Sequence, residues 1–445
     1  MTTILLFLLT VGTFVGSLFQ AWLGVTAYYV LAILSPQSIW YWIFGDMRVS
    51  FYIAISALMG FIVAVISKKV NFSILKSMQN LYLLIFWILI HLSLVFSQFA
   101  NTNELESRYR MELIDKMFIM YFVAILLIDT RKKFHYFITI MLVSVIFYTY
   151  WGNNQYFSGQ MWGPRLMGPI FNGNYKDENT FAMFFVLGIP FLYFMGCYYQ
   201  NRFLRYMLWG TIPFAWHAIF LTASRGGLLG IGVVTLFIGY RSKSKLLGMG
   251  IIIGLIVALS LQGGYMRERG KTIAGKDAEP NPRLESWKTG INMMKAHPLL
   301  GVGLNKFVPA YLYYSGPDAS VHVAHSAVIQ VGAECGVLAA LMFLLLNINL
   351  IYQFWKHRGK RGDRVDPLLS YTNDATVASL LGFFTCAIFL DLAWYENFYY
   401  LLVLSIVRLK LLKMEEDHDS YTETPTYRDE LQGFHNERVR KSYIT

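Results

Sequence analysis

The chain has 445 residues, of which 56% are hydrophobic and 15% charged, and 38 Lys and Arg against 27 Asp and Glu give a formal net charge of +11. So apolar a composition excludes a set of ordinary soluble domains and places the chain among membrane lipids. The cations lie between apolar runs instead of forming one patch, which argues against nucleic acid as a partner.

In chain order, apolar runs near 4–19, 21–34, 50–66, 81–98, 113–129, 134–150, 178–196, 205–222, 227–240, 245–262, 326–354, 375–391 and 395–411 recur between short polar stretches. Their lengths suit helices that cross about 30 Å of hydrocarbon, so an all-α polytopic membrane protein with about twelve or thirteen transmembrane helices is expected. The first two runs are punctuated only by Gly16, Ser17 and Gln20 and read equally as one bent helix or a re-entrant pair. Met1-Thr2-Thr3 carries no positive charge and no small-x-small cleavage site follows, so the first run is expected to stay in place. Cys197, Cys335 and Cys386 all fall inside apolar runs and offer no disulfide framework.

Lys68-Lys69 with Lys76, Arg131 to Lys133, Arg202 with Arg205, Arg241 with Lys243 and Lys245, and the run from Lys356 to Arg364 occupy alternate connections. The positive-inside rule makes these cytoplasmic and turns 35–49, 99–112, 151–177, 223–226, 263–324 and 392–394 outward. The expected organisation is a transmembrane bundle over 1–262, an outward loop with amphipathic helices over 263–324, a second bundle over 325–412, and a tail over 413–445. That tail is polar, lacks apolar periodicity, and reads as cytoplasmic and disordered.

Four outward features stand out. The segment 263–324 is long for a connection and holds Arg267, Arg269, Lys271, Arg283, Lys288, Lys295 and Lys306, a cationic excess on the face where few cations are expected. It suits an anionic ligand, although long loops also escape the rule. Within it, RLESWKTGINMMKAHP places Leu284, Trp287, Ile291 and Met294 at helical spacing, with Arg283 at the helix start and Pro298 beyond its end. A basic helix lying on the membrane surface is the competing reading.

In LTASRGGLLG, Arg225 sits at an outward helix junction before Gly226 and Gly227, where backbone amides at a helix start can meet an anion; a snorkelling arginine is the plain alternative. WGPRLMGPIFNGNYKDENTFA puts Arg165 between two Gly-Pro pairs and Asp177, Glu178 and Asn179 at a helix start, where an N-cap alone would explain the acidic and amide residues. In VHVAHSAVIQVGAECGVLAA, His325 lies where the long loop enters a helix, at the water boundary, and can take up a proton near neutral pH. His322 is a second candidate beside it. Glu334 is a carboxylate about 13 Å of helix rise further on, expected inside the membrane, as a substrate group or as a partner for a neighbouring helix. Gly332, Gly336 and Ala339 form a small-residue stripe suited to close helix packing.

Together these residues resemble the O-antigen ligase and polymerase superfamily of bacterial envelope enzymes. His325-Ser326, then nine residues, then Gly336 is similar to the family's His-(Asn/Ser/Gln)-x9-Gly-x-x-Gly signature, with Ala339 in place of the last glycine. Ser-Arg225-Gly-Gly resembles its arginine at the outer end of a central helix, and RLESWKTGINMMKAHPLLGVGLNKF the opening of its large periplasmic loop. SPQSIWYW, the WGP to KDEN loop and PDASVHVAHS look most like the subgroup of exosortase-associated O-glycosylation ligases.

The resemblance implies a GT-C-like helical fold and a metal-independent, inverting glycosyl transfer at the periplasmic face of the inner membrane, without a cofactor. The donor would be an undecaprenyl-diphosphate-linked glycan and the acceptor a glycan, a lipid such as lipid A-core, or a protein. Arg225 and Arg283 would stabilise the diphosphate, with Arg165 as a third candidate, and His325 would bind or deprotonate the acceptor hydroxyl. Asp177, Asn179, His322 and Glu334 are the remaining candidate substrate-binding residues. A Wzy-type polymerase uses the same donor chemistry. A lipid or glycan transporter is the rival of another class, but it would place polar residues near midplane and show repeated halves, neither of which is visible here.

Overall fold

The computed structural model describes residues 2–44, 49–99, 101, 103–169, 175, 177–242, 244–261, 282–316, 319–356 and 366–422. Arg267, Arg269, Lys271, Lys243, the stretch 357–364 and the tail beyond Thr422 lie outside the described residues. Among the described residues every regular element is helical.

The first helices, α1 (Thr2–Phe19) and α2 (Ala21–Ile33), separate at Gln20 and fold back on each other, so the first two apolar runs are two helices. The bend works because Gly24 has no side chain: a Cβ there would lie 2.6 Å from Ser17 Cβ and 2.8 Å from Ala57 Cβ. Ala57 belongs to α5 (Val49–Ile66), and the short α3 (Pro36–Ile39) and α4 (Tyr41–Phe44) lie between. Next come α6 (Met78–Phe96), α7 (Glu104–Leu127), α8 (Arg131–Phe157), α9 (Glu178–Tyr198), α10 (Arg202–Thr222), α11 (Arg225–Arg241) and α12 (Lys245–Leu261).

α9 is the centre of the bundle, with 89% of its apolar window inside the fold. It is apolar on every face, as a helix without a solvent side must be. Its neighbours approach closely through small residues. A Cβ at Gly227 or Gly230 of α11 would lie 2.7 Å from Ala182 Cβ or 2.5 Å from Cys386 Sγ. One at Gly382 of α17 (Pro367–Ala387) would lie 2.6 Å from Val186. In a bilayer such packing supplies van der Waals contact where the hydrophobic effect between helices is absent.

By length and composition, α5, α6, α8, α9 and α16 (Val337–Lys356) are long and apolar enough to cross a membrane. The chain is an all-α polytopic membrane protein. Other apolar runs become helices that are shorter or carry polar groups, several of them bound within the bundle. Arg241 grips the Asp374 carboxylate through Nε and Nη2 at 2.9–3.1 Å, and Arg408 Nε donates to Leu369 O at 2.9 Å. Lys410 Nζ donates to Ile125 O, Leu126 O and Ile128 O at 3.0–3.3 Å, satisfying carbonyls at the end of α7. Arg408 and Lys410 lie on α18 (Glu396–Thr422), which continues through the first residues of the tail.

The segment joining the two bundles is built into them. It holds α13 (Pro282–Ala296) and α14 (Phe307–Ser315), followed by α15 (Ala327–Cys335) and α16. The run expected as a single helix over 326–354 breaks at Gly336, which takes φ 91°. The turn after α13 fills the break: Val337 N donates to Pro298 O at 2.9 Å, and Val302 N and Gly303 N donate to Ala333 O and Glu334 O at 2.8 and 2.9 Å. Leu299 O occupies the space a Cβ at Gly336 would need.

The face that α13 buries also differs from the expected one. Leu284 and Ile291 are 60% and 42% exposed, whereas Ser286, Thr289 and Met293 are buried. Close packing decides this, because Gly290 admits Phe307 and Ile329, and Gly332 of α15 admits Met294. The small face of α13 goes inward and part of its apolar stripe is left outside.

Candidate active site

The site gathers where α9, α11, α13 and α15 begin and α17 ends. At α11, Ser224 is the N-cap: its Oγ accepts from Gly227 N at 3.2 Å and donates to Asn179 Oδ1 at 2.8 Å. Ala223 before it turns at φ 52°, and Arg225, the first helical residue, is exposed. Gly226 and Gly227 press against Leu390 and Ala182, so this helix start is fixed against two neighbours while its guanidinium projects into the open.

Arg283 stands at the start of α13, half-buried, with its guanidinium 6.0 Å over the Phe389 ring. Burial and then the charge of Arg225 press its pKa below the ordinary guanidinium value. Two cations that feel each other in a partly dehydrated place are stabilised by an anion shared between them. One turn on, Trp287 stacks on Phe389 with centroids 6.3 Å apart and turns its Nε1 toward His325 O at 3.5 Å.

His325 adopts φ 50°, a left-handed conformation that a residue with a Cβ holds only under constraint. Asp391 supplies the constraint. Its Oδ1 accepts the amide of Ser326 at 3.2 Å, and its carboxylate also accepts the amide of His325. Burial raises the Asp391 carboxyl to about 6, against the lowering effect of those two amides and with a further rise from Asp177. The half-buried His325 imidazole is pushed below its usual 6.5 by burial, then by Arg283, then by His322. At neutral pH it is therefore uncharged and able to accept a proton. His322 sits edge-on to Tyr311 with ring centroids 6.3 Å apart.

Arg225, Arg283, His325 and His322 thus come together from separate parts of the sequence. Asp177 and Asn179 form the frame: Asp177 caps α9, accepting from Asn179 N at 2.9 Å and Thr180 N at 3.1 Å, and Asn179 ties α9 to Ser224. Arg165 is paired with Glu178, the first residue of α9, so its charge is already balanced. Glu334 is buried and faces the outward segment, where its Oε1 accepts from Phe307 N at the start of α14, 3.4 Å away. Asp391, Trp287 and Phe389 complete the site. Asp391 closes an apolar run beside an outward connection, the signal that could have singled it out.

Residues 210–344, which include Arg225, Arg283, His322, His325 and Glu334, match the family model described as O-antigen ligase. Residues 1–200 match a family of unknown function, DUF5935, and this part carries Arg165, Asp177 and Asn179. No curated protein matches the chain. The first match supports the O-antigen ligase superfamily, and with it a membrane enzyme of ligase or polymerase type that handles a lipid-linked glycan donor and an acceptor.

Proposed function

We propose that this chain is a glycan ligase of the inner membrane, transferring a glycan from an undecaprenyl-diphosphate-linked donor to an acceptor hydroxyl at the periplasmic face. The observation that carries the reading is the meeting of Arg225 and Arg283 with an uncharged, constrained His325. As the anomeric C–O bond breaks, negative charge gathers on the departing diphosphate. Two guanidiniums held in place beforehand stabilise that charge without reorganising. His325 takes the proton of the acceptor hydroxyl as its oxygen forms the new bond to the anomeric carbon. Attack opposite the leaving diphosphate inverts the configuration there. Asp391 acts through the backbone, fixing the 325–326 turn. The resemblance of SPQSIWYW, the WGP to KDEN loop and PDASVHVAHS favours the exosortase-associated O-glycosylation subgroup, and that to the superfamily a GT-C-like arrangement.

Among the described residues no group of three His, Cys, Asp or Glu side chains is arranged to hold a metal, and the arginines can do the work of a divalent ion at a diphosphate. Transfer by the purified protein is expected to continue in excess EDTA. Loss of activity in EDTA and its return with magnesium or manganese would overturn the mechanism.

The orientation is tested separately. The end of the bundle that holds Arg131, Asp366, Arg241 and Lys410 is expected in the cytoplasm, and the end that holds Arg225 and His325 in the periplasm. A cysteine placed at Leu299, which is exposed, should react with an impermeant maleimide in intact cells, and one at Lys132 should not. The reverse pattern would place the site on the wrong side of the membrane.

A further inference from the structure

Beside the cationic site lies an open recess of about 230 Å³, the solvent at its mouth included, lined by Trp151, Gln155, Met161, Trp162, Arg165 and Leu166. Its floor is fixed. Leu166 is buried in the notch left by Gly152 of α8, where a Cβ would lie 2.9 Å from its Cδ2, and Leu166 N donates to Leu221 O of α10 at 2.9 Å. Gly168 N donates to Tyr175 O at 2.9 Å and holds the far side of the turn.

The lining combines aromatic surface with planar polar groups. Trp162 is 69% exposed, so much of its ring surface lies open to a ligand. Trp151, at the back, is held edge-on by Tyr148 and Phe181. Among the described residues Gln155 Oε1 is buried without a hydrogen-bond partner, an acceptor open to a donor. Arg165 and Glu178 form an ion pair, which offers donors and acceptors together and no net charge. A diphosphate gains little from such a pair. A sugar ring fits it: C–H bonds on the ring face can lie on an indole while the hydroxyls at its edge reach an amide, a guanidinium and a carboxylate.

We propose that this recess is a binding subsite for a neutral sugar residue of the glycan, with Trp162 as the platform and Gln155 and the Arg165–Glu178 pair as hydroxyl partners. The inference rests on the proposed glycan transfer. Its position suits a sugar near the diphosphate, because Glu178 directly precedes Asn179, which binds Ser224 beside Arg225. It also assigns Arg165 to the glycan instead of the diphosphate.

The test uses binding alone, with the full chain in lipid nanodiscs. The probe is the set of oligosaccharides released by mild acid from the host's lipid-linked glycans and tagged at the reducing end, so that it has no diphosphate. Wild type should bind the probe, Trp162→Ala and Gln155→Leu should each weaken binding by about tenfold or more, and Trp162→Phe should restore much of it. Thermal unfolding of the variants should match wild type. No binding by wild type, or equal binding by wild type and both weakened variants, overturns the subsite. Because no transfer is measured, a failed ligase reading shows separately in the activity of the arginine and histidine variants, while failure here leaves those activities unchanged.

Discussion

His325→Ala is expected to lower transfer per folded molecule by about a hundredfold or more, the typical loss when a positioned general base is removed, while donor binding stays near wild type. The two effects separate because the diphosphate contacts belong to Arg225 and Arg283. The pH profile carries a second signature. Burial, Arg283 and His322 all lower the His325 pKa, so the imidazole remains uncharged at neutral pH and gains its proton only below its usual 6.5. Asp391, raised to about 6, loses its charge over the same acid range and with it the strong acceptor for the His325 and Ser326 amides. Activity should therefore fall as pH drops below about 6, more steeply than one proton allows, with a limiting slope of about two in the logarithm of kcat/KM. Asp391→Asn keeps an amide acceptor but removes one titration, and should return the slope to about one. His325→Gln with substantial activity and a flat profile would reduce the histidine to orienting the acceptor. Full activity of the alanine variant would remove it from the mechanism.

Arg225→Ala and Arg283→Ala should each reduce transfer by about a hundredfold or more, the scale for removing one charge-stabilising donor from a preorganised site. Both should also weaken binding of a polyprenyl diphosphate. Lysine at either position should restore only part of the rate, since an ammonium lacks the planar fork that engages two phosphate oxygens. Because the two guanidiniums already feel each other, the double variant should lose less than the product of the single losses. Membrane abundance should hold for Arg225→Ala, whose side chain is exposed, and this separates chemistry from folding. Unchanged rates for both alanine variants would leave the arginines a structural role and end the ligase reading of this site.

The architecture class was legible from apolar run length, because crossing a bilayer demands it. The places where runs break were harder to read. Gly336 sits in an unbroken apolar sequence, and only the distant turn at Pro298 and Leu299, whose backbone occupies the opening, shows that the helix must stop there. The inward face of α13 escapes the sequence pattern for a related reason: periodicity counts apolar residues, but Gly290 and Gly332 decide which side can come close. At the site, Arg225, Arg283 and His325 were visible as charges at helix junctions. Asp391 was not, since its importance lies in amides 65 residues earlier in the chain. Glu334 drew notice as a carboxylate in an apolar run, and its engagement with the start of α14 depends on a fold-back that no local pattern records.

The strand of chain between Pro298 and Gly303 has a consequence for how this protein can be rebuilt. Its amides and carbonyls complete the broken helix at Ala333, Glu334 and Val337, so the outward segment is a keystone of the second bundle and not an interchangeable module. A chimera that exchanges the outward segment with a relative's, cut at the helix starts near 282 and 327, would separate the two halves of this joint. The cut has to fall beyond Val337, so that 298–303 and 332–337 travel as one unit and His325 travels with them.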